Sequence, residues 1–217
     1  MIKLMIFDLD GTIADTPESM CHSLNICLKK FHLKELPVEN FKFYAGDGAR
    51  TMVERALADA GNPDLSLFEP VYEMYKEVFA EGCVYHVTSF DGLRETLCSI
   101  RDKGIQMAVC TNKAQENAEK VVRSVYADEF FTMIAGHCDA YPKKPDPASV
   151  YEILKHYDVS KEETLYIGDT NTDMMTGKNA GLFCIGVTWG FRDRNELEST
   201  GADVIIDHPS ELLKFIG

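Results

Sequence analysis

The sequence predicts an α/β protein with a doubly wound, Rossmann-like parallel sheet and a small all-helical domain inserted after the first strand. Three observations lead there. Short apolar runs alternate with helical segments over most of the chain. The first run ends directly in two acids and a glycine, and residues 16–85 show helical periodicity with no comparable strand.

Residues 3–9 form a short apolar run that delivers Asp8 and Asp10 to a loop, as a buried parallel strand does. Further strands are expected over 105–111, 132–136, 164–168, 183–189 and 203–206. Between them, 91–103, 114–126, 146–157 and 172–180 read as helices. Within the insert, Pro17 opens a helix with Thr16 as its cap, Pro37 and Gly46 to Gly48 mark turns, and Gly61, Asn62 and Pro63 break a helix pair. The expected division is a core of residues 1–15 and 88–217 and a helical insert of 16–87, joined by two linkers that act as a hinge.

Composition narrows the function classes. Hydrophobic residues are 45% and charged residues 26%, an ordinary globular balance. The formal charge is −13, with Lys and Arg scattered, which argues against nucleic acid and anionic membranes as partners. No apolar run approaches the length of a membrane span. The seven cysteines are odd in number and never spaced C-x-x-C, so they read as reduced core residues of a cytoplasmic protein. The opening segment lacks a basic leader and a cleavage site and reads as a strand, and the six histidines lack metal-ligand spacing.

Four strand ends carry the chemistry, because ligands of open parallel sheets gather at the carboxyl ends of strands. Asp8-Leu9-Asp10-Gly11-Thr12 brings two acids, whose oxygens suit a hard cation such as Mg²⁺. Thr111-Asn112 offers a hydroxyl and nearby amides that can hold phosphoryl oxygens. Lys143-Lys144-Pro145-Asp146-Pro147 supplies a point charge from either lysine, and Asp169 and Asp173 add two more acids. Each feature alone reads equally as an Asx turn, a helix cap or a surface charge. Together, on one edge, they match the needs of phosphoryl transfer.

These four ordered motifs, D-x-D-G-T at Asp8 to Thr12, Thr111, K-P-D-P at Lys144 and G-D-x-x-x-D at Gly168 to Asp173, resemble the haloacid dehalogenase superfamily. The likeness covers essentially the whole chain, and the segments from Gly186 to Arg192 and from Gly201 to Asp203 are similar to the phosphoglycolate phosphatases within it. One departure is Ser89-Phe90-Asp91-Gly92, where relatives often carry a proline before the glycine; a local loop difference is expected. The resemblance implies that Asp8 is the nucleophile, forming an aspartyl phosphate, and that Asp10 carries protons. It also implies Mg²⁺ held by the Asp8 side chain, the Asp10 carbonyl and Asp169 with Asp173 beside them, while Thr111 and Lys144 stabilise the transferred group.

Substrate choice then falls to the helical insert, as a cap over the site. Gly46-Asp47-Gly48-Ala49-Arg50 is a glycine-rich turn entering a helix, so Gly46 offers backbone and Arg50 a guanidinium for a substrate carboxylate. Asn112 is expected to join Thr111 and Lys144 on the substrate, and Trp189 and Phe191 to lie beside the site. The expected partner is a small phosphorylated metabolite, with 2-phosphoglycolate put first by the resemblance to phosphoglycolate phosphatases, acted on by a monomer or homodimer. Pyrophosphate, sugar phosphates, phosphomutase chemistry and an inactive binding module on the same fold are the alternatives.

Overall fold

The structure, a computed structural model, describes residues 1–217. Its centre is a six-stranded parallel sheet in the order β3-β2-β1-β4-β5-β6. The strands are β1 (Leu4–Phe7), β2 (Gln106–Ala114), β3 (Met133–His137), β4 (Thr164–Gly168), β5 (Phe183–Val187) and β6 (Val204–Ile206). All six fall where the apolar runs predicted. The order reverses between β1 and β4, the switch point of a doubly wound sheet, where a crevice opens above the strand ends. Register sets the site: Phe7 pairs with Val109 and with Ile167, so Asp8, Thr111 and Asp169 emerge side by side one or two residues later.

Between β1 and the rest of the sheet stand four helices, α1 (Pro17–Lys30), α2 (Phe41–Tyr44), α3 (Ala49–Asp59) and α4 (Phe68–Gly82). The chain leaves and re-enters the sheet region through adjacent backbone: the Asp15 amide donates to the Thr88 carbonyl at 2.9 Å. The remaining helices are α5 (Leu93–Asp102), α6 (Gln115–Tyr126), α7 (Ala148–Tyr157), α8 (Asn171–Ala180) and α9 (Arg194–Ser199). Alternation along β1 divides the core. Met5 and Phe7 point into a layer shared with α1, α3, α4, α5 and α6, whereas Leu4 and Ile6 point into a layer under α7 and α8.

Two local expectations are corrected, and one helix is added. Pro17 does occupy the first turn of α1, but Thr16 does not cap it; its backbone is helical and its buried hydroxyl has no partner. Strand β2 runs through Ala114, beyond the expected end at Thr111, with an irregular register against β3 between Cys110 and Ala114. Helix α9 was not foreseen; the Asp193 side chain caps it by accepting from the Glu196 amide at 2.9 Å. All seven cysteines are unbridged, and no helix is long and apolar enough to cross a membrane.

Candidate active site

The site is assembled from the ends of β1, β2 and β4 and the loop before α7. Asp8 is buried at the first position after β1, and Lys144 reaches it from the α7 loop at 2.8 Å. The same ammonium donates to Asp173 at 2.7 Å and to the Cys110 carbonyl at 3.0 Å. Lys144 therefore lies beneath the floor, clamped between two carboxylates. Asp173 is held in turn at the start of α8, where its second oxygen accepts from the Thr170 hydroxyl at 2.6 Å and the Thr170 amide at 3.0 Å.

Asp169 follows β4 and is fully buried. The Thr12 hydroxyl donates to one of its oxygens at 2.7 Å and the Phe191 amide to the other at 2.8 Å. Two glycines make room for it. A Cβ on Gly11 would stand 2.2 Å from an Asp169 oxygen, and one on Gly190 would stand 2.3 Å from the Asp169 Cβ. Gly11 also has φ of +87°, a conformation that side-chain-bearing residues rarely adopt. Trp189 and Phe191 brace this floor: Trp189 donates its indole N–H to the Thr12 carbonyl at 3.0 Å.

Asp8, Asp169 and Asp173 offer oxygens that all lie within 4.8 Å of one another. Three carboxylates against the single Lys144 ammonium leave an excess of two negative charges if all ionise. Burial and the neighbouring Asp173 accordingly push the Asp8 carboxyl up to about 7, against the pull of Lys144. Burial, Asp173 and Asp8 likewise hold Asp169 well above the usual carboxylate range. Burial alone would lower the Lys144 pKa, but Asp173 and Asp8 outweigh it and keep the ammonium charged. A donor set of oxygens with that charge deficit fits a hard divalent cation, which would replace the shared protons.

Above this floor is a cavity of ≈ 60 Å³. Asp8, Asp10, Thr111 and Lys113 line its lower side, and Met52, Tyr75 and Phe79 of the helical insert line its upper side. Gly46 and Gly48 border it, as the turn predicted, with Ala49 opening α3. The structure brings Asp8, Asp10, Thr111, Lys144, Asp169 and Asp173 together. The Asp10 side chain stands apart from the three-carboxylate cluster and pairs with Lys113.

Two substrate-binding expectations are corrected. Arg50 does not enter the cavity; it pairs with Glu69 at 2.9 Å and Glu54 at 3.5 Å, with its guanidinium 4.4 Å from the Phe68 ring centroid. The first turn of α3 directs it along the outside of the insert. Asn112 borders the cavity, but its amide is a bracket: it donates to the Gly46 and Lys144 carbonyls at 3.2 Å and accepts from the Lys144 amide at 2.9 Å. Asp47 also turns away, pairing with Arg55 at 2.5 Å, so it does not repel an anion in the cavity.

Lys113 is the residue that sequence reasoning missed. Its signal was the position two residues past Thr111, which reaches the site because β2 continues through Ala114.

The profile of the haloacid dehalogenase-like hydrolases matches residues 5–187. The phosphoglycolate phosphatase of Pseudomonas putida is 29% identical over 214 residues, covering 97% of this chain and 78% of that protein. The phosphoglycolate phosphatase of Aquifex aeolicus is 29% identical over 215 residues, covering 99% and 97%. A protein of Lactobacillus delbrueckii subsp. bulgaricus assigned as a phosphoglycolate phosphatase superposes with a TM-score of 0.90 at 29% identity, over 99% of this chain and 98% of that one. CbbY from Rhodobacter sphaeroides, crystallised with phosphate, superposes at 0.78 with 26% identity over 98% and 96%. With its six-stranded parallel sheet and acid-bearing strand ends, this chain belongs to the haloacid dehalogenase-like hydrolases.

Proposed function

We propose that the protein is a Mg²⁺-dependent phosphatase of a small phosphomonoester, with 2-phosphoglycolate as the leading substrate. The observation that carries the reading is the convergence of Asp8, Asp169, Asp173 and Lys144 at the sheet's switch point, with Asp10 facing the cavity above. The choice among phosphoesters is supported by the names of the relatives and by an insert wall built from Met52, Tyr75 and Phe79. Of these three only Tyr75 carries a polar group, so pyrophosphate and sugar phosphates are less favoured.

The cation would be held by the Asp8 and Asp169 side chains and the Asp10 carbonyl, with Asp173 adding its charge beside them. When bound it offsets the anionic charge of the phosphoryl group. Asp8 attacks phosphorus: the bond to its oxygen forms as the bond to the ester oxygen breaks, and Asp10 gives a proton to the leaving oxygen. Asp10 then takes a proton from water, which attacks phosphorus, and Asp8 is released with inorganic phosphate. Lys144 holds the Asp8 carboxylate in place and balances its charge. The Thr111 hydroxyl, at the cavity surface, receives a phosphoryl oxygen. Helices α1 to α4 serve as a cap that closes over the site and excludes bulk water.

The test is phosphate release from a panel of phosphometabolites, including 2-phosphoglycolate, pyrophosphate and p-nitrophenyl phosphate, with and without Mg²⁺. Release from small esters only when Mg²⁺ is present is the expected result. No release from any ester would overturn the reading in favour of a binding module, and preference for pyrophosphate would replace the substrate.

A further inference from the structure

The cavity has one cationic side chain on its wall, Lys113. Four other basic groups nearby are paired elsewhere: Arg50 to Glu69, Arg55 to Asp47, Arg192 to the Ala45 carbonyl, and Lys144 to Asp8 and Asp173; the Lys143 ammonium lies behind Gly48, where a Cβ would meet it at 3.1 Å, and does not line the cavity. Lys113 is itself nearly buried. Its ammonium lies 2.7 and 2.9 Å from the two Asp10 oxygens and 5.0 Å from the centroid of the Phe79 ring, which reaches down from α4.

Resting on the phosphatase reading above, we infer that Lys113 is the specificity residue of this site. It binds a carboxylate close to the ester oxygen, so the preferred substrates are phosphate esters of short hydroxy carboxylates. The geometry sets the reach. Asp10 must reach the ester oxygen, and Lys113 touches Asp10, so two successive hydrogen bonds of about 3 Å place the ammonium within about 6 Å of that oxygen. A carboxylate one carbon away falls inside this reach and shares the ammonium with Asp10.

Neutral substrates fare worse. A neutral ester leaves the ammonium with Asp10 alone and forgoes a charge-assisted bond in a buried setting. Phe79 ties this recognition to the cap, since its ring covers the ammonium from above.

The experiment compares 2-phosphoglycolate, 3-phosphopropanoate and ethyl phosphate as substrates of the wild type, Lys113→Met and Lys113→Arg, with Mg²⁺ saturating. The wild type should prefer 2-phosphoglycolate over ethyl phosphate by at least ~10²-fold in kcat/KM, and 3-phosphopropanoate over ethyl phosphate in the same sense. In Lys113→Met the first ratio should fall below ~10, chiefly through KM for the carboxylate substrate, and Lys113→Arg should retain more of it. Losses of kcat shared by all three esters report the positioning of Asp10 and cancel in the ratio. An unchanged ratio in Lys113→Met, or a wild type indifferent to the carboxylate, overturns this inference while leaving the phosphatase reading intact. A wild type that releases phosphate from none of the esters overturns both. Where Lys113→Met fails to fold, Lys113→Gln takes its place, with the same fall in the ratio expected and an unchanged ratio overturning the inference.

Discussion

Thr172, at the start of α8, donates its hydroxyl to Asp47 of the helical insert at 2.7 Å. The bond joins α8 to the turn whose glycines, Gly46 and Gly48, border the cavity. Two more contacts join it: Asn112 donates to the Gly46 carbonyl at 3.2 Å, and Arg192 donates to the Ala45 carbonyl at 3.0 Å and to the Lys42 carbonyl. The segment over residues 42–47 is thus tied to the strand ends by three side chains, while the chain passes between sheet and insert at Asp15 and Thr88, which are bridged to each other.

Removing one of these ties should loosen the cap. Arg192→Ala is expected to speed amide hydrogen exchange over residues 41–48 and to raise KM for a small ester several-fold, with exchange in β1 and β4 unchanged. Unaltered exchange in that turn would show that the tie does not hold it.

The crowded carboxylates make stability depend on pH in a defined direction. Asp8 has a folded-state pKa raised to about 7 from 3.8, so the folded protein holds a proton that the unfolded chain has lost. Without divalent cations, stability is therefore fully present below about pH 4 for this group and declines as pH rises to about 7. Asp169, also raised, acts in the same sense. Thermal melts in EDTA should fall between pH 5 and pH 8, and Mg²⁺ should raise the melting temperature more at pH 8 than at pH 5. A melting temperature that rises with pH in EDTA would contradict the charge balance described.

Lys144 is the one cation inside the cluster, with its ammonium on Asp8, Asp173 and the Cys110 carbonyl. Lys144→Met leaves two buried carboxylates uncompensated and should cost about 3–5 kcal/mol at pH 8, measured by urea unfolding, together with nearly all activity. Lys144→Arg should not restore activity, because a planar guanidinium does not fit the space of a compact ammonium. Full activity in either variant would remove Lys144 from the site.

Arg50 supplies the opposite case. Because it pairs with Glu69 and lies on the Phe68 ring outside the cavity, Arg50→Ala should leave kcat/KM for 2-phosphoglycolate within about twofold. A tenfold rise in KM would return it to the substrate.

The sheet was legible because parallel strands buried on both faces read as uninterrupted apolar runs. Leu4 to Phe7 and Thr164 to Gly168 are wholly buried, and both runs end in the acids of the site. Asp8, Thr111 and Asp169 could be placed together because each follows such a run. The insert was harder, since the direction of a side chain leaving a helix start depends on how that helix packs. Arg50 follows the cavity-lining Gly48 and Ala49 in sequence, yet the path of α3 sends it to Glu69 on α4. Lys113 failed for a related reason: its meaning depends on β2 continuing past Thr111, and strand ends are set by tertiary pairing more than by local composition.

The central claim is that Asp8 carries the phosphoryl group. Acid quenching during turnover of 2-phosphoglycolate with Mg²⁺, followed by mass spectrometry of the peptide containing Asp8, measures it most directly. The expected result is one added phosphoryl group on Asp8 that appears only with substrate and is absent, along with activity, in Asp8→Asn. Undiminished turnover by Asp8→Asn would contradict it.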